Sequence, residues 1–227
     1  MIPVLEWFAS CQIITKNSVA DAYGIEAEQL KDDDYRRVIA SMLRVADLGI
    51  QALQMRDSDP APSQRSDIFA NIDAIHTVHD ANGNACSYAL NMAEESDGTN
   101  SYFKLIGVVK KALDQGTLLV ADEMDAHLHP LLTKHLVSLF DSTEFNPKGA
   151  QLIFTSHSTN LLDLDFLRRD QIWFTEMRLE DRSTELYSLA EIKNIRKDEN
   201  FGKGYISGKY GGIPMLNVDF ANIVSKM

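Results

Sequence analysis

The chain has 227 residues, 44% of them hydrophobic and 24% charged, a globular balance that can bury the core of one large domain or of a domain with an appendage. Its net charge of −11 gives no general attraction for nucleic acid or a membrane surface, though a local basic patch remains compatible with it. Two cysteines, Cys11 and Cys86, are too few for a disulfide framework or a metal-ligand cluster and suit a reducing compartment.

No stretch approaches the ~20 apolar residues of a membrane span. The N terminus, MIPVLEWFASCQIITKNS, lacks the basic n-region of a signal peptide, so the expectation is a cytoplasmic protein without a membrane partner. Residues 1–30 are mixed, with short apolar pieces (Val4 to Phe8, Ile13, Ile14) and no strong period. Residues 32–55 read as a helix. Val38, Met42, Val45 and Leu53 recur at helical spacing, and the acidic run Asp32–Asp34 suits a helix N terminus. RDSDPAPSQRSD has the composition of a linker or surface loop.

Two alternating segments around Asn82-Gly83 predict a β-hairpin. His76 and His79 lie on it three residues apart, which on a strand puts them on opposite faces and makes a shared metal unexpected. The pattern then changes period. Tyr102, Leu105, Ile106, Val109 and Leu113 fall on one helix face, behind a polar Glu-Ser-Asp-Gly-Thr cap. A helix N terminus presents free N–H groups and partial positive charge, so this end can receive a phosphate, although taken alone it reads as a well-capped helix.

GTLLVADEMDAHLHP contains an apolar run, Leu118 to Val120, that stops at Asp122 and Glu123. The run has the length and composition of a buried parallel strand, and acids at its carboxyl end sit where open α/β sheets bind ligands. Pro130 suits a helix start, with Leu132, Leu136, Leu139 and Phe140 facing inward. After STEFNPKG, a second short strand, AQLIF, ends in Thr155, Ser156 and His157, and a helix can start at Ser158 or Thr159. Strand, acids, helix, strand and histidine make a βαβ unit whose polar ends emerge at one sheet edge. A further antiparallel pair is expected in DQIWFTEMRLEDRSTELYSLAEI. A glycine-rich basic tail without regular period follows it.

These polar groups suit hydrolysis of a nucleoside triphosphate. A strand-end aspartate can hold magnesium through water, the next glutamate can activate the attacking water, and a neighbouring histidine can contact the γ-phosphate. A helix N terminus from a second subunit can close the site.

TLLVADEMDAHLHPLL resembles the Walker B strand, catalytic glutamate and D-loop of ABC-type ATPases. It is most similar to bacterial AAA-family proteins that share the head of SMC-like and OLD-like enzymes and often serve in phage defence. ESDGT resembles their degenerate signature, and LIFTSHSTNLLD their switch-histidine segment. LRRDQIWFTE, TELYSL and YISGKYGGIP resemble the C-terminal segment that follows.

The resemblance implies an α/β fold: part of a P-loop, ABC-type ATPase head sheet with flanking helices, an N-terminal helical and hairpin region, and a C-terminal β-containing tail. The expected divisions are a helical region at 1–65, a β-hairpin at 66–94, the ATPase core at 95–165 and the family's C-terminal segment at 166–227. It implies ATP and Mg2+ as cofactors, with Asp122 holding the metal, Glu123 as water-polarising base and His157 as switch. Asp125 would be the D-loop residue, and Ser96, Asp97, Gly98 and Thr99 would reach the γ-phosphate of a facing subunit. The implied partners are an N-terminal ATPase lobe or homologous subunit, in a homo- or hetero-dimer of heads, and a nuclease or toxin effector. Nucleic acid is possible but not indicated by charge.

The sequence departs from the pattern in one respect. No G-x-x-x-x-G-K-[ST] turn occurs. In GKGYISGKY, Lys203 stands at the first glycine position and Tyr210 at the hydroxyl position. The chain therefore resembles the C-terminal part of a longer ATPase, inactive without the missing lobe. Two other readings compete with it. One is an ATPase relic that serves as a protein-interaction module; the other is a metal-dependent phosphoesterase built on Asp122, Glu123, His127 and His129.

Overall fold

A computed structural model describes residues 2–15, 25, 28–46, 49–56, 68–126, 128–196 and 199–214. The chain divides into two compact units, Met1–His157 and Ser158–Met227. The first runs α1 (Ile2–Ser10), β1 (Gln12–Ile14), α2 (Asp33–Val45), β2 (Ile50–Met55), β3 (Ile72–His79), β4 (Ala85–Asn91), α3 (Asp97–Gln115), β5 (Leu118–Ala121), α4 (Pro130–Asp141) and β6 (Gln151–Phe154).

The architecture is mixed α/β, with a three-stranded parallel sheet flanked by helices and compatible with a P-loop ATPase. The sheet has the order β1-β5-β6. Its register aligns Ile13 with Val120 and Val120 with Ile153 on one row, and Ile14 with Ala121 and Ala121 with Phe154 on the next. Leu119 and Ala121 are fully buried and Ile14 nearly so, whereas Ile13 is 69% and Ile153 59% exposed. One face thus belongs to the core, where α3 packs against β5 and α4 against β6. The other presents an open apolar row.

Strand β1 emerges from a segment that shows no sequence period, because three residues are too few to display one. The expected helix over 32–55 is two elements. Asp32 caps α2 by accepting from the N–H groups of Asp34 and Tyr35, but the helix stops at Val45. Gly49 follows in the left-handed region, at φ 71. Leu53, which fits the helical spacing, instead belongs to β2, where it pairs with Ala74 of β3.

The hairpin forms as expected. Asp80 accepts from the N–H groups of Asn82 and Asn84, and β3 pairs with β4 from Asp73–Asn91 to His79–Ala85. With β2 it makes an antiparallel sheet of order β2-β3-β4. Helix α3 buries Tyr102, Leu105, Ile106, Val109 and Leu113; burial of Tyr102 pushes its hydroxyl up to about 12. Gly116 ends α3 at φ 68, and a Cβ there would lie 2.8 Å from the Lys148 carbonyl oxygen. On α4 the fully or largely buried side chains are Thr133, Leu136, Val137 and Leu139, with Leu132 and Phe140 half-buried at the margin.

The second unit contains β7 (Trp173–Met177), β8 (Thr184–Ser188) and α5 (Phe201–Ile206). The expected antiparallel pair is β7-β8. The helix proposed after His157 is only a 3-10 turn, Thr159–Leu161. The glycine-rich tail does contain a short helix, α5, capped by Asn200, which accepts from the Lys203 N–H. Phe174, Phe201 and Tyr210 stack in this unit's core. Among the described residues no helix is long and apolar enough to cross a membrane.

Candidate active site at the carboxyl edge of the parallel sheet

Strand β5 delivers its acids to the edge through backbone pairing on both sides. The Asp122 N–H donates to the Ile14 carbonyl of β1 at 2.9 Å, and the Thr155 N–H after β6 donates to the Ala121 carbonyl at 3.0 Å. The chain then leaves the sheet. Met124 is 2% exposed and anchors the turn in the core, and its N–H returns to the Thr155 carbonyl at 3.1 Å.

Thr155 ties the two acids together. Its hydroxyl donates to Asp122 Oδ1 at 2.6 Å and accepts from the Glu123 N–H at 2.7 Å. Glu123 has φ 50, a left-handed conformation that costs a non-glycine residue about 1–2 kcal/mol. Left-handed non-glycine residues held by surrounding hydrogen bonds cluster at functional sites. Sequence reasoning placed Thr155 at a strand end but gave it no role. The period-2 pattern of AQLIFT cannot show that its hydroxyl reaches across to the neighbouring strand.

His157 Nε2 lies 3.8 Å from Glu123 Oε1, with the histidine side chain 86% and the glutamate 31% exposed. That separation exceeds a direct hydrogen bond and falls within ion-pair range. The edge therefore brings together Asp122, Glu123 and His157. Asp125 follows on the same turn, with its carbonyl accepting from the Leu128 N–H at 3.1 Å. Its Oδ1 is buried and has no hydrogen-bond partner among the described residues.

Ser96–Thr99 form a separate cluster at the start of α3. Ser96 Oγ accepts from the Thr99 N–H at 3.1 Å and lies 2.9 Å from the Thr99 hydroxyl. Ser96 and Asp97 are exposed, Gly98 is half-buried and Thr99 is buried, so the first two are the ones presented to solvent.

Among the described residues no group of three or more His, Cys, Asp or Glu side chains is arranged to hold a metal ion. His129 is occupied as the cap of α4, its Nδ1 accepting from the Leu131 N–H at 3.3 Å; His127 lies outside the described residues. Magnesium held mainly by water and substrate phosphates needs only one or two carboxylates, and Asp122, exposed and fixed in direction by Thr155, fits that demand.

The hairpin histidines separate as their spacing predicts. His76 is buried and His79 exposed. Both cysteines are free.

Residues 9–163 match the model of a family described as "AAA domain, putative AbiEii toxin, Type IV TA system". No curated protein matches the chain significantly.

Proposed function

The chain belongs to this AAA-domain family, and on that premise we propose that it carries the metal-holding acid, the water-activating base and the switch histidine of an ABC-type ATPase head. Nucleotide binding and ATPase-type function are the family's coarse attributes; the residue roles are our reading. The observation that carries it is the Thr155 bridge, which fixes Asp122 and Glu123 side by side while His157 stands 3.8 Å from the Glu123 carboxylate.

Asp122 would hold magnesium through water, and the metal supplies charge neutralisation between the β- and γ-phosphates. Glu123 orients a water and takes its proton, for which direct contact or one bridging water suffices. His157, exposed beside it, reaches the space a terminal phosphate occupies. Ser96 presents its hydroxyl and Asp97 its backbone N–H to a nucleotide held by a facing head, and Asp125 communicates across the same interface.

The phosphate cradle and its lysine would come from a complementing lobe, since the sequence contains no G-x-x-x-x-G-K-[ST] turn. The open row Ile13–Val120–Ile153 supports such a partner. Parallel sheets are covered on both faces, and an element lying along this row would end at the acid edge. A defence effector as the recipient of ATP-driven head closure agrees with the toxin–antitoxin wording of the family description.

The test is Glu123→Gln in an assembly complemented with a lobe bearing the phosphate turn. Turnover is expected to fall by ~10²-fold or more, the scale of lost general-base catalysis, while nucleotide-driven association persists. Unchanged turnover would make Glu123 structural and overturn the assignment.

A second reading, an ATPase relic serving as an interaction module, draws on the same open row and on exposed Val4, Leu5 and Phe8 of α1. It predicts association with the partner lobe and no turnover in any complemented assembly.

A further inference from the structure

Away from the acid edge, the antiparallel sheet holds a nearly buried pair, His76 and Glu95. His76 lies on the middle strand β3, facing Ile50 of β2 and Tyr88 of β4, on the row that also buries Ile72 and Ala74. The Tyr88 ring stacks on the imidazole with centroids 5.1 Å apart and planes at 13°. Gly49 leaves the opposite side clear; a Cβ there would come 3.4 Å from Nδ1. His76 Nε2 meets Glu95 Oε1 at 2.6 Å, and the two side chains are 11% and 10% exposed. Against a carboxylate acceptor, the tautomer with the proton on Nε2 is the one that makes this bond.

Packing alone does not require this pair, because apolar residues of similar volume usually serve a buried contact as well or better. What the pair adds is direction, and Glu95 occupies a telling position. It immediately precedes Ser96, the cap of α3. Its N–H donates to the Met92 carbonyl at 3.2 Å, and its own carbonyl accepts from Asn100 Nδ2 at 3.2 Å. Backbone and side chain are therefore held at once, and the side-chain tie runs back to the middle strand of the sheet that the chain has just left. The next two residues, Ser96 and Asp97, are the exposed ones.

We propose that His76 is a positioning residue: by gripping Glu95 it fixes where Ser96 and Asp97 are presented at the start of α3, coupling the antiparallel sheet to that cap. The inference rests on the reading of Ser96–Thr99 as residues that reach a nucleotide phosphate. With strands bonded to β3 on both sides, His76 cannot shift without the sheet, so a displacement of the sheet moves the cap with it.

The test is residue-resolved amide hydrogen exchange on the purified chain, which needs neither nucleotide nor partner. His76→Leu should speed exchange of the Thr99 and Asn100 amides by about tenfold while the middle of α3 and strand β5 keep their rates. His76→Gln retains a side-chain N–H and should restore wild-type protection. Should His76→Leu fail to fold, Glu95→Ala opens the same pair from its other end and is expected to give the same local acceleration. Unchanged Thr99 exchange would overturn the proposal, as would an acceleration spread evenly over α3 and β5 or a failure of His76→Gln to rescue. Each of these failures leaves the ATPase reading intact, because exchange reads cap geometry and not catalysis. Normal turnover in Glu123→Gln would sink that reading without altering the exchange result.

Discussion

Thr155→Val isolates the bridge at the acid edge. Valine keeps the shape and the β-branching that suit a strand end, and removes only the hydroxyl. Two interactions go: the bond to Asp122 Oδ1 at 2.6 Å and the bond from the Glu123 N–H at 2.7 Å. A hydrogen bond to a charged group contributes ~1.5–3 kcal/mol and a neutral one ~1 kcal/mol. Thr155 and Asp122 are both exposed, so water replaces much of the loss, and the net cost works out at about 1–2 kcal/mol. For a unit of this size that lowers Tm by roughly 3–6 °C.

The local consequence is larger than the global one. Glu123 sits at φ 50, and releasing its N–H removes one of the bonds that hold it against a strain of ~1–2 kcal/mol. The turn relaxes and the carboxylate leaves its place beside His157. Thermal melting should therefore show the modest drop while the Glu123 amide resonance moves substantially. Thr155→Ser, which restores the hydroxyl, should recover both. If Thr155→Val melts with the wild type and leaves the Glu123 resonance in place, the bridge does not hold the acids and the reasoning fails.

Other outcomes follow from the same geometry. Calorimetric titration of Mg-ATP into the isolated chain should give binding no tighter than millimolar, ~4 kcal/mol, because the phosphates approach Asp122, Glu123 and Asp125 without a cradle; micromolar binding would overturn that expectation. Ile153→Glu, on a side chain already 59% exposed, should leave the chain's melting within about 1 kcal/mol of wild type yet abolish co-purification with a complementing lobe; retained association would place that lobe elsewhere. Burial lowers the His135 pKa below its ordinary 6.5, so the unfolded state binds the proton more readily and stability falls as pH drops below that value. Denaturation midpoints across pH 7 to 5 should show a slope that His135→Gln reduces; an unchanged slope would assign the acid sensitivity to other groups.

The sequence determined those elements whose pattern is long enough to repeat. Five apolar residues on one face define α3, Asn82-Gly83 between alternating segments defines the hairpin, and the runs ending in Asp122 and Thr155 define β5 and β6, so the edge where acids and histidine meet was legible before any coordinates. Other elements have no local signature. Strand β1 is three residues long and exists because β5 offers it a parallel edge; β2 reads as the end of a helix until pairing with β3 decides otherwise. The bridge through Thr155 and the grip of His76 on Glu95 join residues 32–33 and 19 positions apart. Periodicity reports which face a side chain occupies, whereas which partner it meets across strands is set by register, and register is a property of the folded sheet.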